Sequence, residues 1–256
     1  AEVLPTDGHP CVVASNEEAP ADAPRVLFYG HYDVQPPDPT ELWTTPPFEP
    51  TVRDGAVYAR GASDDKGQVA CFLEALAAWR ATRGALPIKL TVMIEGEEEC
   101  GSVDLEPFIE RHRDRFAADV AVVSDTSFWG EGTPAITYGL RGLLYFDVKL
   151  HGPSRDLHSG VYGGTVANPL NELVKVFGGL FDEDHRVTIP GFYDDVTGPT
   201  EAERRQWARL DFSDERWAES VGLEAPFGEA GYDTLERRWS RPSCDVNGMY
   251  GGYMAE

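Results

Sequence analysis

Gly61-Ala62-Ser63-Asp64-Asp65-Lys66-Gly67 sets two adjacent carboxylates between glycines, immediately before a segment with a helical period. The flanking stretches, Val52 to Tyr58 and Val69 to Trp79, are apolar enough to be buried. Carboxylates held in a dry pocket need a counter-charge. Three further segments bring acids or histidine to the ends of apolar runs: His31 with Asp33, then Glu97 to Glu99, then Asp125. A metal centre is the economical explanation for the set.

Working outward, Val26 to Tyr32 is a continuous apolar and aromatic run, the pattern of a central strand covered on both faces, and it delivers His31 and Asp33 to its C-terminal end. Open α/β sheets keep their chemistry at that end. Cys11 to Ala14 reads as an edge strand. Prolines 36, 37, 39, 46, 47 and 50 impose an extended loop holding Trp43 and Phe48. Val52 to Arg60 alternates around Asp54-Gly55, a dipeptide suited to a tight hairpin turn.

From Lys66 the period changes. Val69, Phe72, Leu73 and Leu76 predict one apolar face of a helix ending near Gly84. Ile88 to Ile94 predicts a second buried strand, Ser102 a cap for a helix through about Arg115, and Val120 to Val123 a third strand. This alternation predicts an α/β layered sheet with helices on both faces.

A composition shift after Pro134 puts a domain boundary near Tyr138, giving a catalytic domain over 1–137 and part of an α+β domain over 138–256. The second part is expected to hold a long strand over Leu143 to Leu150 and a loop from Gly152 to Gly164. A helix carrying Leu170, Leu173, Val174 and Phe177 follows, then a clear helix over Glu201 to Leu210.

The 256 residues carry a formal charge of -22, which argues against nucleic acid or an anionic membrane as partner. Four scattered cysteines offer no Cys-x-x-Cys pair for a thiolate zinc or redox site, and they suit a reducing compartment. Ala1 to Pro10 lacks the basic start and apolar run of a signal peptide, and no segment approaches the roughly 18 apolar residues of a membrane span. The expected location is the cytoplasm.

The acid and histidine positions are separated by 33 residues from His31 to Asp64, 35 to Glu99 and 26 to Asp125. Each interval fits one crossover or hairpin plus a strand, so the side chains can converge in one cleft. Singly, His31 reads equally well as a hydrogen-bonded core histidine, Glu97 to Glu99 as a solvated run and Asp125 as a cap. All at strand ends, they argue for a site. An Asp-x-Asp-x-Asp-Gly calcium loop does not occur.

Gly30-His-Tyr-Asp-Val-Gln-Pro, Arg60-Gly-Ala-Ser-Asp-Asp-Lys-Gly, Glu95-Gly-Glu-Glu-Glu-Cys-Gly-Ser, Ser124-Asp125 and Asp156-Leu-His-Ser-Gly-Val-Tyr-Gly-Gly resemble the M20 family of dinuclear zinc peptidases. Within it they are most similar to the cytosolic dipeptidase and carnosinase branch. The resemblance implies a zinc-peptidase-like sheet, part of a lid or dimerisation domain, a small peptide substrate and a homodimer formed through the lid. It implies two zinc ions, with manganese or cobalt as alternatives. Asp64 would bridge them, His31 and Asp125 would complete one, and Glu99 would hold the other.

Glu98 would be the general base, Asp33 would orient the His31 imidazole, and His158 would reach the partner subunit's site. The Asp64-Asp65 peptide bond is expected to be cis. An aspartate at position 125, where deacylase and carboxypeptidase branches usually carry glutamate, leans the reading toward dipeptides. The rivals are a deacylase of N-acyl amino acids and an inactive chain that keeps the acidic pocket. The family's last zinc-ligating histidine has no counterpart before Glu256 and its opening helical segment is missing, so the chain is expected to be cut at both ends.

Overall fold

Leu90, Val92 and Ile94 alternate along one strand with Thr91 and Met93, and that strand carries apolar groups to both faces of the central sheet. The computed structural model describes residues 1–253, and the chain divides into two compact units, the first Ala1–Ile136 and the second from Thr137 onward. In the first unit the elements run β1 (Glu2–Leu4), β2 (Cys11–Asn16), β3 (Arg25–His31), β4 (Thr51–Arg53), β5 (Ala56–Tyr58), α1 (Lys66–Arg83), β6 (Lys89–Glu95), α2 (Leu105–Arg111), α3 (Arg113–Phe116) and β7 (Val120–Val123).

The main sheet has the order β1-β2-β6-β3-β7. β3 lies parallel to β6 on one side and to β7 on the other, with His31 opposite Glu95 in the β6 register and Tyr29 opposite Val123 in the β7 register. Cys11 to Ala14 therefore belongs to an internal strand, because β1 pairs antiparallel outside it. The short β1 was too polar at its start to be read as a strand.

Phe28, Leu90 and Val92 pack on one face with Val69, Phe72 and Leu76 of α1, and the Phe28 and Phe72 rings stack at 3.7 Å between centroids. Leu73, expected on the same helical face, is 44% exposed. The opposite face buries Cys11, Val13 and Met93 against Phe108 of α2 and Phe116 of α3. Helices thus cover both faces, and burial on each side drives the layering.

β4 and β5 form the expected hairpin, with Asp54 at φ 49° and Gly55 at φ 79°, the paired left-handed conformation of a two-residue turn. Ser102 does not cap a helix. It sits at φ 49° with its hydroxyl turned onto Glu95, and Asp104 precedes α2 instead. The helix expected through Arg115 is interrupted at His112, whose φ of -114° breaks the helical run.

The second unit carries α4 (Ser159–Tyr162), α5 (Pro169–Gly178), α6 (Glu201–Trp207), α7 (Asp214–Ser220) and α8 (Thr234–Trp239). Asn168 caps α5, and full capping boxes start α6 at Thr200 with Glu203 and α8 at Asp233 with Glu236. Inside this unit Arg241 donates from Nε and Nη2 to the Glu229 carboxylate, both at 2.7 Å, between the rings of Tyr193 and Tyr232. Leu143 to Leu150 is not a strand. It has the apolar content of one, but Leu144 and Phe146 are about four-fifths exposed and no described segment pairs with it. Among the described residues no helix is long and apolar enough to cross a membrane.

Candidate metal centre

β3 ends at His31, and the close packing beneath that end explains the preceding glycine. A Cβ on Gly30 would lie 2.6 Å from the Val69 side chain and 2.7 Å from Asp65 Oδ2. The latter oxygen accepts the His31 backbone N–H at 3.1 Å, so the fully buried Asp65 fixes the end of the strand from below. The Asp64-Asp65 bond is cis, as expected.

The His31 ring is buried and has acceptors at both nitrogens. Nδ1 lies 3.1 Å from the Asp33 carbonyl oxygen and 3.2 Å from its Oδ1, while Nε2 lies 2.9 Å from Asp64 Oδ1 and 3.9 Å from Asp125 Oδ2. Burial pulls the imidazolium down, but Asp64, Asp125, Asp33 and Glu98 outweigh it, and the net pKa is raised. Asp33 does more than hold this ring: its Oδ1 and Oδ2 accept the backbone N–H groups of Glu98 at 3.2 Å and Glu99 at 2.9 Å.

Two groups of donors have ligand atoms all within 4.8 Å of one another: His31, Asp64 and Asp125, and His31, Glu98 and Glu99. Both contain His31, so the two groups meet at one imidazole. The expected pairing of Asp64 with Glu99 is not itself a closed group. His158 lies in the second unit at the N-cap of α4, where its Nδ1 accepts the Gly160 N–H at 3.0 Å.

The electrostatics fit a cation. Burial raises the Glu98 pKa, and Asp125, Glu99 and Asp64 add to the rise against the opposing pull of His31. Burial likewise raises Asp125, with Asp64 and Glu99 adding and His31 opposing. Burial also raises Asp65, to about 6, and its Oδ1 is buried without a hydrogen-bond partner. Asp33, Asp64, Asp125, Glu98 and Glu99 thus set five carboxylates around one imidazole, an imbalance that a divalent cation relieves directly. The donors are oxygen and imidazole nitrogen with no thiolate, a set that suits zinc, manganese or cobalt at a hydrolytic centre.

Gln35 was not singled out from the sequence as a site residue. Its Nε2 donates to the Glu99 carboxylate at 2.8 Å and to the Glu99 carbonyl at 3.0 Å. Its place four residues after His31, on the same loop as Asp33, was the available signal.

The sequence profile of Peptidase family M20/M25/M40 matches residues 27–253. The Beta-Ala-His dipeptidase of Homo sapiens is 38% identical over 230 residues, which are 89% of this chain and 45% of that protein. The Cys-Gly metallodipeptidase DUG1 of Saccharomyces cerevisiae is 34% identical over 251 residues, 96% of this chain and 52% of the relative. Among solved structures, the M20 family metallo-carboxypeptidase Sso-CP2 from Sulfolobus solfataricus superposes with a TM-score of 0.79 at 33% identity, over 100% of this chain and 57% of that one. Human carnosine dipeptidase 1 superposes with a TM-score of 0.71 at 34% identity, over 99% and 53% respectively. The chain spans about half the length of the curated relatives it matches. With its acid and histidine motifs gathered at the ends of three parallel strands and the family profile running from β3 to Tyr253, the chain belongs to peptidase family M20/M25/M40.

Proposed function

We propose that the protein to which this chain belongs is a metal-dependent dipeptidase. The observation that carries this reading is the His31 imidazole, held at Nδ1 by Asp33 while Nε2 faces Asp64 and Asp125. The relatives named as dipeptidases support dipeptides as the substrate class.

His31, Asp64 and Asp125 would hold one cation, and Asp64 with Glu99 would hold the other; zinc is the proposed metal, and two the proposed number. Bound there, the pair supplies polarisation of the scissile carbonyl and a lowered pKa for the attacking water. Glu98 stands beside the ligands and is the general base. Its place on the turn between the ligands, with its amide held by Asp33, suits it to take a proton and pass it to the leaving amine. Asp33 orients His31 and fixes the turn bearing Glu98 and Glu99.

Residues 1–137 are the catalytic domain in this reading, and 138–256 belong to a lid through which a homodimer forms. His158 in that lid serves the partner subunit's site. A cytoplasmic location agrees with the scattered, unpaired cysteines.

The test is carried out on the full-length protein. Chelation should abolish hydrolysis of dipeptides and readdition of zinc should restore it, with N-acyl amino acids cleaved far more slowly. Equal or faster cleavage of N-acyl amino acids would favour a deacylase, and turnover insensitive to chelation would defeat the metal reading.

A further inference from the structure

Glu95 is a buried carboxylate, 2% exposed, at the end of β6, and none of the roles above uses it. One of its oxygens, Oε1, accepts two hydroxyl groups: Tyr29 from the neighbouring β3 at 2.5 Å and Ser102 at 2.9 Å. Between Glu95 and Ser102 runs the turn that carries Glu98 and Glu99. Ser102 closes this turn, since its backbone N–H donates to the Glu97 carbonyl at 2.8 Å. It does so at φ 49°, directly after Gly101 at φ 98°. A non-glycine residue in the left-handed region persists where its surroundings hold it there.

We propose that Glu95 is a positioning residue, a buried latch that joins the two ends of the 95–102 turn through Ser102 and ties both to β3 through Tyr29. Its effect is to set where Glu98 and Glu99 stand relative to His31. The turn is pinned on its inner side by Asp33, which accepts the Glu98 and Glu99 amides, and at its base by Glu95. Two anchors at different points fix both the position and the tilt of the acidic pair, and a single anchor leaves the tilt free. The inference rests on the reading that Glu98 and Glu99 serve the metal centre, and it gives the first and last residues of the Glu95-Gly-Glu-Glu-Glu-Cys-Gly-Ser motif a shared task.

The test uses full-length Ser102→Ala and Tyr29→Phe. Zinc affinity is measured by competition with a chromogenic chelator, and the melting temperature of the metal-stripped protein alongside it. Each deletion of a hydroxyl should weaken zinc binding about 10- to 100-fold, as loss of groups behind metal ligands does. As pH falls, occupancy should be lost at a higher pH than in the wild type. Variants with lowered melting temperature but wild-type zinc affinity would overturn the proposal, leaving Glu95 a purely structural group. A wild-type protein that binds no zinc would instead bring down the metal-centre reading itself.

Discussion

Asp33 Oδ2 accepts the backbone N–H of Glu99 at 2.9 Å, although the two residues lie 66 positions apart in the chain. The same carboxylate reaches Glu98 N–H and the His31 ring, so one side chain sets the relative placement of two motifs. Asp33→Asn presents an amide N–H2 or a neutral oxygen to donors that now meet a charged acceptor. It should lower zinc affinity by about 10- to 100-fold, read by chelator competition, while the far-ultraviolet circular dichroism stays unchanged.

Glu98 and Asp64 separate base from ligand. In the full-length protein Glu98→Ala should cut kcat by roughly 10²- to 10⁴-fold with metal content nearly intact. Asp64→Ala should lose the metal as well. Equal metal loss in the two variants, by elemental analysis, would show the roles to be wrongly divided.

Complementation checks the proposed role of His158. Mixed dimers of full-length His158→Ala and Glu98→Ala should regain activity, because one hybrid site keeps both groups. Heterodimers verified by tandem purification and still inactive would place His158 outside the partner's site.

Cys11 gives a prediction about stability and pH. Burial, with help from Glu95 and Glu97, pushes its thiol from the ordinary 9.0 up to about 11. The folded value lies above the unfolded one, so the contribution is fully present below pH 9 and is lost as pH rises toward about 11. The melting temperature should therefore fall between about pH 8.5 and about pH 10.5 by a smaller amount in Cys11→Ala than in the wild type, even though the variant starts lower.

Arg241→Ala should be the most damaging single change in the second unit. It removes the bidentate guanidinium from Glu229, 7% exposed, and leaves it only Arg186 at 3.5 Å, so the loss should approach the low end of the about 3 to 5 kcal/mol that breaking a buried pair from one side costs. Hydrogen exchange around α8 should speed up accordingly, and an unchanged exchange rate would show that solvent already reaches the pair.

The parts of the molecule written in local pattern were legible in the sequence. The apolar run from Val26 to Tyr32 ends one residue past β3 and that from Val120 to Val123 is β7, while Asp54-Gly55 turns the hairpin because those residues accept positive φ. The convergence of His31 with Asp64 and Asp125 followed from strand ends alone. What depends on a distant partner was not legible. Ser102 has the side chain of a helix cap, but Glu95 claims its hydroxyl; Gln35 looks like an ordinary loop amide until Glu99 is placed beside it. Leu143 to Leu150 has strand composition, and composition cannot supply a neighbouring strand.

The sheet order gives the acidic cleft two walls of unequal compliance. His31 leaves an internal strand with hydrogen-bonded neighbours on either side, whereas Asp125 follows β7, which ends the sheet order and is paired through β3 alone. Displacing the imidazole means deforming three parallel strands together, and displacing the Asp125 carboxylate means bending one. The histidine is thus the fixed datum of the cleft, and in the proposed metal centre the aspartate would be the jaw that yields to the size and charge of the cation.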